Sequence, residues 1–378
     1  MKNENSVCFV SIVNDTQPII DSDNIELVIV NGWNCVVKKG SFVIGDMVIC
    51  ATTDAIIPIE ISEKLGVTNY LRNKERVRTV KLRGVYSECL LMPIDLIPQN
   101  KRKDGEDLMD VLKIFKYEPP VKMVRLSNGK RRRYHENPNF LIYYKFPNIK
   151  NVPNMFDEND YVEITRKIHG TNARYGIVKK SKLSLWNKIK RFFGFTLGWD
   201  EYEFVVGSHN VEKGSDTQGF YDTNVWYDIE KKYDIKNKLW YFVKNTIPNG
   251  EIDNIGSGII IYGEIYGKGI QKNYEYGLDD IEICIFDIEL DKKYLNLTAC
   301  KYVVEDCLNL PYVEVLYKGL YLEEMKNKFV LNNFINNTKV PHEGVVIKTV
   351  VGSRQKVAKV INPDYLIYSE KHNVGDSH

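Results

Sequence analysis

The stretch Val162-Glu163-Ile164-Thr165-Arg166-Lys167-Ile168-His169-Gly170-Thr171-Asn172-Ala173-Arg174 decides how the rest of the chain is read. Its first half is rich in β-branched residues and predicts a strand that delivers Lys167 to a tight turn. Gly170 lets the backbone of that turn approach a bound group closely. Thr171, Asn172 and Arg174 follow as hydrogen-bond donors. A lysine held this way can be a nucleophile, provided something removes its proton or its charge. One short Lys…Gly pattern recurs by chance, so its meaning rests on what lies downstream.

Five strand-like segments follow. Residues 204–206 lead into the polar turn Gly207-Ser208-His209-Asn210, and residues 259–264 end on Glu264. Residues 282–288 expose Phe286, residues 342–348 open on Glu343 and close on Lys348, and residues 355–363 carry Lys356 and Lys359. Strand ends that bring lysines and glutamates to one cleft suit nucleotide chemistry. An amine attacking an α-phosphorus must be neutral, although a free lysine is protonated at pH 7. Desolvation, nearby cations and a metal lower its pKa. Glu264 and Glu343 are the candidate metal ligands, for Mg²⁺ or Mn²⁺. Lys348 and Lys359 would stabilise charge on the phosphate in the transition state. Phe286 would stack on a flat base, while Thr171, Asn172 and Arg174 would hold sugar and phosphate. Taken singly, a strand-end glutamate is mostly a surface residue, Phe286 mostly core, and Lys356 or Lys359 mostly solvated. Their order along the chain carries the reading.

At 378 residues the chain has room for two domains, and 43% hydrophobic with 27% charged residues describe an ordinary soluble protein. A net charge of +2 confines any nucleic-acid surface to a local patch. The seven cysteines are scattered and form no Cys-x-x-Cys pair, which argues against a disulfide framework or a zinc site and for a reducing interior. No apolar run approaches the length of a membrane span and the first residues are polar, so a soluble, cytoplasmic or otherwise intracellular protein is expected.

Residues 1–100 read as short strands (6–13, 25–30, 35–38, 47–52, 76–83, 88–92) with one short helix capped by Ser62, which suits a small β-barrel, most simply an OB-fold. Arg72, Lys74, Arg76, Arg78, Lys81 and Arg83 cluster there; phosphate contact and a merely solvated face are equally compatible with them. Residues 101–150, with Pro119-Pro120 and the basic run Lys130-Arg131-Arg132-Arg133, read as linker and lead-in. Residues 151–378 read as a second domain, the one that carries the lysine turn, interrupted at 179–203 by a segment with Trp186, Ile189, Phe192 and Phe193 at helical spacing, to which no function is assigned.

Lys167-x-x-Gly170-Thr171-Asn172, Ser208-x-Asn210, Gly263-Glu264, Phe286-Asp287-Ile288, Glu343-Gly344-Val345-Val346-Ile347-Lys348 and the closing lysine strand resemble successive motifs of the covalent nucleotidyltransferases, the RNA and DNA ligases and capping enzymes. The tracts Val30-Asn31-Gly32-Trp33, Val37-Lys38-Lys39-Gly40 and Lys81-Leu82-Arg83-Gly84 further resemble RNA ligases whose OB domain comes first. The resemblance implies an α+β fold: an N-terminal OB barrel, then an ATP-grasp-like DNA/RNA ligase domain of antiparallel sheets with flanking helices. It also implies an ATP-dependent enzyme that adenylylates Lys167, passes AMP to a 5′-phosphate and seals with an RNA 3′-hydroxyl. The expected partners are RNA 3′-hydroxyl ends and 5′-phosphate RNA or DNA ends in nicked duplexes, with no membrane, bound by a monomer. Catalysis would fall to Lys167, Glu264, Glu343, Lys348 and Lys359. The nucleotide would lie among Lys167, His169, Gly170, Thr171, Asn172, Arg174, Asn210, Glu264, Phe286, Lys348, Lys356 and Lys359. Three positions depart from the common pattern: His169 replaces an Asp, His209-Asn210 follows Ser208 where many relatives have Arg, and Ile361 stands in the place of a second lysine. A capping-type, GTP-dependent guanylyltransferase and a non-catalytic RNA-binding barrel protein are the alternatives.

Overall fold

The computed structural model describes residues 6–117, 137–182, 185–193, 198–213, 223–245, 255–335, 338–350, 356–372 and 374. Pro119-Pro120, the basic run 130–133 and Gln355 therefore lie outside the described residues.

Short runs rich in Val, Ile and Cys produce two three-stranded antiparallel sheets. One joins Cys8–Ile12, Met47–Thr52 and Cys89–Pro93; the other joins Asp15–Pro18, Ile25–Val30 and Trp33–Lys38. Asn31 and Gly32 both have positive φ, 49° and 79°, as a two-residue hairpin between twisted strands requires. Phe9, Val28, Trp33, Val48, Cys50 and Leu91 share a core between the sheets. Asp15–Pro18 is an edge strand that its polar sequence does not announce. The helix Ile59–Lys64 follows Pro58, and Ser62 is not its cap but a buried interior residue whose Oγ donates to Ile59 O at 3.0 Å. Apolar periodicity shows where a helix packs, whereas a cap is decided by the turn before it.

The stretch read as a linker is packed at both described ends. Leu108, Leu112 and Ile114 join Val7, Ile49 and Met92 in a second barrel core, and Phe115–Lys116 pairs with Ala55–Ile56. On the other side, Phe140 and Tyr143 are buried against Val205, Ile260 and Tyr262 of the following domain.

That domain consists of two antiparallel sheets. The smaller runs Val315–Leu320, Tyr161–Lys167, Gly344–Thr349, Val357–Ile361; the larger runs Glu212–Lys213, Tyr202–Gly207, Thr171–Lys179, Gly258–Gly267, Ile281–Leu290, Lys293–Tyr294. Helices Val225–Tyr233 and Ile235–Asn245 bury Trp226, Ile229, Leu239 and Val243 in one core with Tyr175, Ile259 and Ile285. The chain passes from the small sheet to the large one at residues 168–170. The turn after Lys167 is thus the seam between the sheets. The class is α+β, as read from the sequence.

Helix Leu185–Phe192 within the interrupting segment leaves Trp186, Phe192 and Phe193 exposed. All seven cysteines are free thiols. Among the described residues no helix is long and apolar enough to cross a membrane.

Candidate active site

Strand pairing places the reacting groups. Lys167 closes its strand opposite Gly344, next to Glu343. Its Nζ donates to Glu343 Oε1 at 2.5 Å. The other carboxylate oxygen, Oε2, is buried with no hydrogen-bond partner and lies 3.9 Å from His169 Nδ1. Glu264 projects from the large sheet, in register with Asn172. Burial pushes its carboxyl up to about 8; attraction from Lys167 opposes that rise and repulsion from Glu343 adds to it. Lys359 lies opposite Val346, and burial, then repulsion from Lys167, pull its ammonium down to about 8. The seam therefore holds two carboxylates and two amines, Glu343 buried and the other three partly so.

Gly170 is what allows the seam to close. A Cβ there would stand 2.1 Å from Ile265 O and 3.0 Å from Glu264 Cγ. Any other side chain would push the glutamate strand away from the lysine turn. Gln271 Nε2 donates to Gly170 O at 2.7 Å, and Tyr276 OH accepts the His169 amide at 2.7 Å. The His169 ring is buried edge-on against Tyr274 and Tyr365.

A second group lies beside the first. Lys348, expected to face the phosphate, is 3% exposed: its Nζ donates to Phe286 O at 2.9 Å and pairs with Asp287 Oδ2 at 3.0 Å. Tyr143 OH donates to the same Asp287 oxygen at 2.9 Å, and its ring meets Phe286 at 5.0 Å between centroids. Phe286 remains partly exposed, with one side packed on Tyr143.

Two further expected contacts are corrected. Arg174 is 2% exposed; its Nε donates to Ser208 O at 2.7 Å and its Nη1 to Phe140 O and Leu141 O at 2.8 and 2.9 Å. It ties the 137–150 segment to the sheet rather than facing a nucleotide. Lys356 pairs with Asp160 at 2.6 Å and Asp157 at 3.5 Å. Those aspartates precede the first residue of the lysine strand, while Lys167 is its last, so Lys356 serves the far end of the sheet. Ile361, opposite Gly344, packs with Ile168 among Tyr274, Tyr276 and Tyr365, so an apolar contact fills the place of a second lysine. Asn210 lies exposed in the turn after Tyr202–Gly207. Thr171 is buried opposite Ile265, and the buried Asn172 Oδ1 has no hydrogen-bond partner.

Sequence reasoning passed over Asp287, Tyr143, Gln271, Tyr276 and Tyr365. Asp287 adjoins Phe286 in a quoted motif and was open to notice. The other four come from segments with no motif and reach the seam only through folding.

Residues 160–361, more than half of the chain, match the model of the family described as RNA ligase. The chain belongs to the RNA ligase family. Residues 7–94 of this ligase match a model described as an OB-fold domain, in agreement with the barrel above. Its fold is similar to that of Naegleria gruberi RNA ligase. A variant with ATP and Mn is 22% identical, with 97% of this chain and 99% of that chain covered and a TM-score of 0.70. A variant with AMP and Mn is 22% identical, with 98% and 99% covered and a TM-score of 0.71. The Naegleria enzyme with PPi gives 22%, 98%, 99% and 0.69. No curated protein matches the chain.

Among the described residues no group of three or more His, Cys, Asp or Glu could hold a metal by protein ligands alone. The pair Glu264 and Glu343 nevertheless fits a hard divalent cation that keeps much of its water. Glu343 Oε2 is an unspent oxygen donor, and Glu264 is a carboxyl that burial alone would leave protonated near neutral pH.

Proposed function

We propose that this ligase is ATP-dependent and works through a covalent Lys167–AMP intermediate. One observation carries the reading: Lys167 Nζ stands at the seam of two sheets, hydrogen-bonded to Glu343 and within electrostatic reach of Glu264 and Lys359. Naegleria structures with ATP and with AMP support the choice of nucleotide.

In the first step the neutral Lys167 amine attacks the α-phosphorus of ATP. The N–P bond forms, the bond from that phosphorus to the bridging oxygen breaks, and pyrophosphate leaves as the nitrogen sheds a proton. Glu343 alone favours the ammonium, since it accepts from Lys167 at 2.5 Å. A divalent cation held by Glu264 and Glu343 would offset that preference and neutralise phosphate charge. Lys359 repels the Lys167 ammonium and would stabilise charge on the phosphate oxygens. Phe286, partly exposed, would stack on the base, and Lys348 fixes the carbonyl of that residue. AMP then passes to a 5′-phosphate, freeing Lys167, and the RNA 3′-hydroxyl displaces AMP to form the phosphodiester.

We further propose nicked duplexes with an RNA 3′-hydroxyl end as substrate, a monomer as the active form, and a reducing compartment, which the seven free thiols favour. Incubation with ATP and magnesium, followed by mass spectrometry of the peptide bearing Lys167, tests the chemistry. An AMP adduct that disappears in Lys167→Ala is expected. A GMP adduct formed from GTP instead would establish capping chemistry, and no adduct with either would refute the nucleophile.

A further inference from the structure

The C-terminal helix Pro363–His372 touches both halves of the molecule. Its start is registered to the site by Asn362, which is fully buried: its amide donates to Glu343 O at 2.8 Å and its Nδ2 to His342 O at 3.1 Å, while its Oδ1 accepts from the Asp364 amide at 3.0 Å. Tyr365, one residue into that turn, places its hydroxyl 3.1 Å from His169 Nδ1. The contacts run on from there. His169 Nδ1 lies 3.9 Å from Glu343 Oε2, and Glu343 Oε1 accepts from Lys167 Nζ at 2.5 Å.

The same helix is gripped by the N-terminal barrel. Asp364 accepts from Tyr86 OH at 2.6 Å and lies 4.0 Å from Lys81. Glu370 lies 3.7 Å from Arg72 and 3.8 Å from Arg78. Half of the basic cluster noted in the sequence thus faces two carboxylates of this helix. The long ion pairs are partly exposed and contribute little singly. The short Tyr86–Asp364 bond is charge-assisted and is the firm part of the grip.

We infer that Tyr365 is a positioning residue for the reacting lysine, and that the N-terminal barrel sets its place through the C-terminal helix. The buried His169 ring has an orientation to be set, and Tyr365 supplies a hydroxyl at one edge of it. Turning that ring changes what faces Glu343 Oε2, and with it the carboxylate that holds Lys167. The barrel contributes by holding the helix still, some distance from the reacting atoms. The inference rests on Lys167 being the nucleophile.

The test is single-turnover formation of the Lys167–AMP adduct by the full chain, wild type against Tyr365→Phe, Tyr86→Phe and the double variant, over a range of ATP concentrations. Both phenylalanines keep the ring and lose only the hydroxyl. Tyr365→Phe is expected to lower the maximal rate about fivefold, the equivalent of one hydrogen bond, with the ATP concentration for half-maximal rate unchanged. Tyr86→Phe is expected to lower it less, and the double variant no further than Tyr365→Phe alone, because both act through one helix. A wild-type rate in Tyr365→Phe, multiplying effects in the double variant, or a loss that tracks a lowered melting temperature would each overturn the inference. Absence of adduct in the wild type would instead strike the assignment of Lys167, so the two failures are distinct.

Discussion

Lys348 Nζ and Asp287 Oδ2 stand 3.0 Å apart, with 3% and 0% of their side chains open to solvent. A buried ion pair gives little net stability, yet removing one partner strands the other charge. Asp287→Asn is therefore expected to cost on the order of 3–5 kcal/mol of folding stability. Joint replacement by Asp287→Leu and Lys348→Met should recover much of it while losing ligation. Urea unfolding of the three proteins decides; a single variant as stable as wild type would show that the pair is not buried in solution.

Gly170→Ala would set a methyl carbon 2.1 Å from the backbone oxygen of Ile265. Neither side can yield without breaking the Thr171–Ile265 register. The expected result is a melting temperature several degrees lower and AMP adduct reduced at least about tenfold, since a small displacement of reacting groups carries a large rate penalty. Labelling and melting like wild type would mean that the seam is open.

Glu343→Gln keeps the shape of the side chain and a hydrogen-bond acceptor for Lys167 but removes the charge. Adduct formation in this variant should need on the order of tenfold more divalent cation. Titration of the single-turnover rate with magnesium measures it, and an unchanged midpoint counts against a metal role for this residue.

Glu289 is 4% exposed and accepts from Tyr262 OH at 3.1 Å; burial, the largest influence, holds its carboxyl above the usual range. A carboxyl raised on folding keeps a proton that the unfolded chain has released. The stability it permits is full below the unfolded pKa and declines as pH rises through the folded one. Glu289→Gln, which cannot ionise, should melt a few degrees above wild type at pH 8 and level with it near pH 4. Thermal unfolding at the two values checks the sign.

Much of the site was legible because strand order and strand ends are written locally. Lys167, Glu264, Glu343, Lys348 and Lys359 each close, open or punctuate a β-branched run, so their types and spacing survive in one dimension. The α+β class came with the family resemblance that the order of these runs carries. The side-chain directions of Arg174 and Lys356 were not legible, because a cation on a strand reads the same whether it meets a phosphate, a carbonyl or an aspartate. Arg174 is claimed by carbonyls of residues 140, 141 and 208, and Lys356 by Asp157 and Asp160.

What the chain by itself determined is the chemistry: a lysine in a glycine turn, two carboxylates and further lysines, in an order that admits few functions. What only the tertiary structure decided is which partner each group takes. Tyr143, Tyr276 and Tyr365 lie more than a hundred positions from Asp287, His169 and His169 respectively, yet bond to them directly. Such pairings arise from burial, where a polar group must find a partner or carry a desolvation cost, and the nearest partner in space has no fixed distance in sequence.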